Sequence, residues 1–179
     1  MERNIFLIFG KTGTGKTTLA KKLLSEYKRI IIVDSLAEYQ NGIIFYTYED
    51  FRDYILFKTD RENFRYILRF TTDDEIEQMF NLVFDLTDFV LVLEEAEIYI
   101  SPYTKKSNFL RLVNYGRHRE ISIIGIARRT SELSLQLRAQ VNKIYSFKQT
   151  EIQDIEKMEK LGLIGLDKLE KYKYIEHTY

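Results

Sequence analysis

Apolar residues recur along the chain in short continuous runs separated by segments with helical spacing. Ile5–Phe9 is a five-residue apolar run that stops at Gly10, the pattern of a strand buried on both faces. Thr17–Tyr27 follows with Leu19, Leu23 and Leu24 on one side of a helix. Arg29–Asp34 reads as a second buried strand and Ile43–Tyr46 as a short third. Thr47, with Asp50 three residues later, predicts the start of a helix running to about Lys58. Over Phe64–Phe70 the residues Phe64, Tyr66, Leu68 and Phe70 alternate onto one face of a strand. Thr72–Leu86 places Ile76, Met79, Phe80, Val83 and Leu86 at the spacing of a core-facing helix. Phe89–Leu93 is another continuous apolar strand, Phe109–Tyr115 a helix, and Ile121–Ala127 a strand whose Gly125 predicts a close backbone approach. A short helix over Glu132–Ala139 precedes the strand Lys143–Lys148. Thr150 and Gln153 predict the opening of a helix that closes at Gly162, where a C-terminal glycine belongs. A helical turn and a strand over Tyr172–Ile175 end the chain. Such alternation predicts an α/β domain with a mostly parallel sheet flanked by helices.

The composition agrees with one globular domain over residues 1–179: hydrophobic residues make up 45% and charged residues 30%. No repeat, low-complexity segment or linker interrupts it. The absence of cysteine excludes a disulfide framework, a thiolate metal site and a cysteine nucleophile. With His118 and His177 as the only histidines, a multi-histidine metal site is not expected. No apolar run reaches the roughly 20 residues that span a bilayer, and Met1–Asn4 lead straight into a strand, so the expected compartment is the cytoplasm. The 27 basic and 27 acidic residues cancel, which excludes a uniformly basic surface. They are unevenly placed, however. Asp73–Glu97 holds nine acidic residues and no basic one, whereas Tyr103–Lys148 holds ten basic residues and two acidic ones. Either these are solvated faces of one domain, or the basic part meets phosphate or an acidic neighbouring subunit.

Chemistry enters at the first strand–helix junction. Gly10-Lys11-Thr12-Gly13-Thr14-Gly15-Lys16-Thr17 fits G-x-x-x-x-G-K-[ST] without a mismatch, after a buried strand and before an amphipathic helix. The glycines let backbone N–H groups turn inward around phosphates. The helix N-terminus adds free N–H groups and partial positive charge. Lys11, Thr12, Gly13, Thr14, Gly15, Lys16, Thr17 and Thr18 are therefore the expected ATP-binding residues. Lys16 would place its ammonium on the β- and γ-phosphates, and the Thr17 hydroxyl would ligate Mg²⁺.

A second acidic motif ends the strand Phe89–Leu93. Strand ends in α/β sheets are where ligands bind. Glu94 is the candidate for the Mg²⁺ shell, one methylene longer than the aspartate more usual there. Glu95 is the candidate that orients the attacking water. Glu97, the third acid in four residues, reads as a surface acid at a helix start.

These motifs, with Gly116-Arg117-His118-Arg119-Glu120 leading into the strand that ends Ala127-Arg128-Arg129-Thr130, resemble the FtsK/HerA superfamily of P-loop ATPases. That superfamily includes DNA-pumping motors, viral genome-packaging ATPases and the Zot-like phage assembly ATPases. Asp34-Ser35-Leu36-Ala37-Glu38-Tyr39 also resembles the D-x-x-x-E-Y turn of HerA-like members, and the similarity covers roughly Ile5 to Gln149. The resemblance implies a RecA-like (ASCE) core in which Ile121–Ala127 is a sensor strand lying between the phosphate-loop strand and the Glu94-Glu95 strand. It implies an ATP-hydrolysing motor acting on double-stranded DNA as a homo-oligomeric, typically hexameric, ring. Arg117 and Arg119 match the place of the arginine that completes a neighbour's site; the alternative for both is capping of a helix C-terminus. The sequence departs from the family in two places: the sensor position is Arg128 where glutamine is usual, and Thr130 replaces a proline. Arg128 could then touch the γ-phosphate or pair with Glu94 or Glu95. Lys105 and Lys106, in the loop around Pro102, are candidates for gripping a phosphate backbone. Two other classes stay open: a nucleotide-dependent ATPase that assembles or remodels proteins, and a small-molecule or nucleotide kinase.

Overall fold

In the computed structural model, residues 3–57, 62–70, 72–99, 107–130 and 135–179 are described. Eight strands form one sheet: β1 (Ile5–Phe9), β2 (Arg29–Val33), β3 (Ile43–Phe45), β4 (Phe64–Leu68), β5 (Phe89–Leu93), β6 (Ile121–Ala127), β7 (Lys143–Phe147) and β8 (Tyr174–Thr178). Their order is β3-β4-β2-β5-β6-β1-β7-β8. Every pairing is parallel except β7 with β8. The expected RecA-like arrangement is present: β6 lies between β1 and β5, with Phe9 beside Ala127 and Leu93 beside Gly125.

The helices are α1 (Lys16–Leu23), α2 (Tyr48–Phe57), α3 (Asp73–Val83), α4 (Ala96–Tyr99), α5 (Asn108–Tyr115), α6 (Leu135–Arg138) and α7 (Ile152–Glu159). They divide unequally between the two faces because strand residues alternate. Leu7, Phe9, Ile31, Val33, Leu91 and Leu93 point into a large core with Phe51, Met79, Phe80, Phe109 and Met158 from α2, α3, α5 and α7. Ile8, Ile30, Ile32, Val90, Val92 and Ile124 point to the other face, where Leu19 and Ala20 of α1 cover them. Helix α1 therefore holds one face of the sheet, and the phosphate loop is its N-terminal extension.

Local signals account for several element ends. The Thr72 hydroxyl accepts from the Glu75 N–H, and Ser107 does the same for Leu110. Gly162, at φ 86°, closes α7 with the paired bonds Gly162 N–H to Glu159 O and Leu163 N–H to Met158 O. One cap differs from expectation. The residue capping α7 is Glu151, not Thr150, and no side chain caps this end. Gly125 sits where a Cβ would lie 2.9 Å from Leu7 Cδ2 and 3.6 Å from Ala96 Cβ, so the close approach is to β1 and α4.

The acidic and basic segments meet within the chain. Arg111 reaches Asn81 and lies over the Phe84 ring, Arg119 pairs with Asp85, and Arg128 pairs with Glu97. Part of the charge asymmetry is thus two segments that face each other. The loop carrying Lys105 and Lys106 lies outside the described residues, as do residues 132–134 of the expected Glu132–Ala139 helix.

Candidate nucleotide site

The C-terminal ends of β1, β2, β5 and β6 converge on one cleft. Its lining includes Thr12, Gly13, Lys16, Thr17, Glu94, Glu95 and Arg128, brought together from three separate stretches of sequence. Gly15 ends the loop at φ 109°, a backbone conformation that a residue with a Cβ rarely adopts. That turn aims the free N–H groups of the first turn of α1 into the loop. The Thr14 hydroxyl donates to the Lys11 carbonyl at 2.7 Å, and the Lys16 ammonium donates to the same oxygen at 3.0 Å. The loop is held from within, and its lysine lies across its mouth. Burial pulls the Lys16 pKa below its ordinary value, while Glu94, Glu97 and Glu95 work to raise it.

Strand alternation decides what the two carboxylates do. Val90 and Val92 face α1, so Glu94 falls on the same side and is buried at 3% exposure. There it meets the Thr17 hydroxyl and accepts a 3.0 Å hydrogen bond from the Tyr39 hydroxyl. Burial raises its pKa, and the bonds from Tyr39 and Thr17, with Lys16 nearby, oppose the rise. Glu95 turns the other way. Its backbone is left-handed, at φ 53°, an unfavourable conformation for glutamate of the kind found where a chain aims a side chain at a site. Its carboxylate remains partly open, with Arg128 4.0 Å away.

Three further groups complete the site, and sequence reasoning assigned none of them this role. Asp34 follows β2 with the parity of Ile30 and Ile32 and is fully buried. Its oxygens accept from the Glu38 and Tyr39 N–H groups and face the Arg69 guanidinium at 3.4 Å. Arg69 also donates to the Tyr39 carbonyl at 2.7 Å. The D-x-x-x-E-Y turn is therefore a bracket that holds the Tyr39 hydroxyl against Glu94. The turn itself is visible in the sequence, but nothing marks Arg69. Glu97 is the third group, and it is not a surface acid. Its side chain is 8% exposed, its Oε1 sits 3.1 Å from Arg128 Nε, and its Oε2 is buried without a partner. Arg128 thus pairs chiefly with Glu97 and only at the limit with Glu95.

Lys11 and Thr12, with Arg128 and Arg129, also line a neighbouring concavity that Gln149 and Glu151 close. Arg129 is anchored there by the buried Asp154, 2.8 Å away, which also accepts from the Thr130 hydroxyl at 3.0 Å. Gly15 and Thr18 line a third hollow on the opposite side of the loop. Arg117 and Arg119 are elsewhere. They precede the N-terminal end of β6, and β6 runs parallel to β1, so they sit at the end of the sheet away from the loop. Seven residues of strand separate the two ends, roughly 20 Å. Arg119 is tied to Asp85 and lies over Phe84, while the exposed Arg117 contacts the ring of His118.

The residues present fit a hydrated Mg²⁺. A buried carboxylate hydrogen-bonded to a hydroxyl at a helix N-terminus offers the hard oxygen donors this ion takes. No group of three or more histidine, cysteine, aspartate or glutamate side chains that could hold a metal occurs among the described residues. The remaining ligands would then be water and phosphate oxygens, as is usual for Mg²⁺.

Fold and cleft together define a RecA-like P-loop NTPase. The family pattern of the poxvirus A32 protein matches residues 2–175, and the chain belongs to that family. Its fold is similar to that of the genome packaging NTPase B204 from Sulfolobus turreted icosahedral virus 2, with TM-score 0.77 at 17% identity over 99% of this chain and 92% of that one. The N-terminal domain of zonular occludens toxin from Neisseria meningitidis matches with TM-score 0.54 and 16% identity, over 85% and 80% of the two chains. VirB4 of Thermoanaerobacter pseudethanolicus matches with TM-score 0.58 and 14% identity, over 97% and 88%. No curated protein sequence matches the chain.

Proposed function

We propose that this chain is the ATPase core of a motor that packages double-stranded DNA and works as a ring of identical subunits. One observation carries the reading. The phosphate loop, the Glu94-Glu95 strand end and the sensor strand occupy adjacent strands and converge on one cleft. Family membership and the likeness to a packaging NTPase that has been seen with ATP-γS support it.

The residues divide the work by position. The loop backbone and Lys16 hold the β- and γ-phosphates. Thr17 and Glu94 are the residues that would hold Mg²⁺, which when bound supplies Lewis-acid charge on the phosphate oxygens. Glu95, partly open and aimed by its left-handed backbone, orients the attacking water and accepts its proton. Arg128 stands between Glu95 and Glu97, placed to answer the charge that develops on the transferred phosphoryl group. Arg117, at the far end of the sheet, has no route to its own loop. It is the better placed of the two arginines to enter a neighbour's site, because Arg119 is held by Asp85 and Phe84. This division calls for a ring of subunits, which the family resemblance makes a hexamer.

Steady-state ATP hydrolysis with and without double-stranded DNA tests the reading. DNA should stimulate turnover, and Glu95→Gln should slow it by about two orders of magnitude or more while ATP binding persists. Phosphoryl transfer to a nucleoside would make the protein a kinase instead. Hydrolysis indifferent to DNA but stimulated by a protein partner would make it a remodelling ATPase.

A further inference from the structure

We propose that Phe147, Tyr172 and Tyr174, with Thr18 and Lys22 of α1, form a stacking cradle for the base of the bound nucleotide, one that accepts adenine and guanine alike. This rests on the phosphate-loop reading above and specifies the substrate class of that same site. The loop has two open sides. One leads to Glu94, Glu95 and Arg128, where the terminal phosphate reacts. The other opens past Gly15 and Thr18 into a hollow of about 430 Å³, within the range of small-molecule sites. A nucleotide with its reacting end on the first side must send its sugar and base to the second.

That second side is aromatic. A Cβ on Gly15 would stand 3.0 Å from Tyr172 Cδ1 and 3.3 Å from Phe147 Cε1, so both rings rest on the loop backbone itself. Tyr174 continues the layer, its ring centroid 5.4 Å from that of Phe147. Phe147 belongs to the core at 2% exposure and backs the layer from below, whereas the two tyrosine rings are open to solvent. Tyr172 is 61% exposed and Tyr174 38%, and Tyr172 stands against the phosphate loop. Tyr172 also carries a left-handed backbone, φ 67°, which a bulky residue adopts only at a cost. Lys171 lies over its ring at 4.9 Å, a cation–π contact. The tyrosine hydroxyls apart, the side-chain polar groups lining the hollow are those of Thr18 and Lys22. A hydroxyl and a flexible ammonium do not read one base edge against another, whereas every base has a face to stack.

Calorimetric titration with ATP, GTP and inorganic tripolyphosphate, each with Mg²⁺, tests the cradle. The unaltered protein should bind ATP and GTP within about threefold of each other. Tyr172→Gly relieves the backbone and removes the ring. It should weaken both nucleotides roughly tenfold or more, the worth of one base–aromatic stack, and leave tripolyphosphate within about twofold. Tyr174→Leu should show the same split with the Tyr172 backbone undisturbed. Equal losses for tripolyphosphate and nucleotides in both variants, unchanged nucleotide affinity in both, or an ATP preference above about thirtyfold would overturn the proposal. If the unaltered protein bound none of the three, the phosphate-loop reading would fall and the cradle with it.

Discussion

Tyr39→Phe isolates one hydroxyl in a buried chain of contacts. The ring stays, with its packing against the α1 face and the Lys21 ammonium 5.0 Å from its centroid. What is lost is the donor 3.0 Å from Glu94 Oε1, between two residues 4% and 3% exposed. Water cannot replace it at that depth without opening the site. A hydrogen bond to a charged group contributes about 1.5–3 kcal/mol. That equals roughly tenfold to a hundredfold in the availability of the ionised carboxylate. Burial already raises the Glu94 pKa, and the hydroxyl is one of the groups opposing the rise. Its loss must therefore move Glu94 further towards the protonated form. The assay is the pH dependence of kcat/KM for ATP hydrolysis at saturating Mg²⁺. The acid limb should move to higher pH in Tyr39→Phe, and activity at neutral pH should fall by about tenfold or more while recovering towards alkaline pH. An acid limb that stays in place, with kcat/KM within about twofold at every pH, would refute the idea that Tyr39 holds Glu94 ionised. A uniform loss at all pH values would refute it too, since that indicates damage to the fold.

Lys16→Ala should weaken triphosphate binding about tenfold or more by calorimetry, as expected for a lost charge-assisted contact; affinity within twofold of the parent would remove the phosphate-loop assignment. Glu94→Gln should raise the thermal midpoint of the ligand-free protein at about pH 8. The sign follows from burial: with its folded pKa above the unfolded one, Glu94 ionisation costs stability as pH rises through the folded pKa, and glutamine never ionises. The gain should shrink as pH falls below the carboxylate range, and a gain that is the same at low pH would point to packing instead. Arg117→Ala should bind ATP normally and hydrolyse it slowly, and mixing it with Glu95→Gln subunits should restore part of the turnover. Arg119→Ala should mainly cost stability, within about 1 kcal/mol for so exposed a pair. Full hydrolysis by a dilute monomer would sink the shared site.

What the sequence determined is what neighbouring residues determine among themselves. Five apolar residues before Gly10 and a leucine stripe after Thr17 specify a strand, a tight loop and a helix, so the phosphate loop is legible as a string. The apolar runs Ile30–Val33, Phe89–Leu93 and Ile121–Ala127 likewise identify themselves as strands buried on both faces, and the Glu94-Glu95 end could be read once the loop was known. Resemblance to a family supplied the place of β6 between β1 and β5, which periodicity alone cannot; the rest of the strand order came from the structure. The tertiary structure decided the partners. Tyr39 and Glu94 are 55 residues apart, Arg69 and Asp34 are 35 apart, and Arg128 and Glu97 are 31 apart. No local pattern links such pairs, because a parallel sheet brings strand ends together only through long crossovers. Glu97 shows the limit most clearly. Three acids in four residues look alike along the chain, and only the pleat and the turn after β5 send one to Thr17, one to the cleft and one beneath Arg128. The cap of α7 failed for the complementary reason. Thr150 has the right type at the right spacing, but the helix begins one residue later, where Asp154 is buried against Arg129 and Thr130.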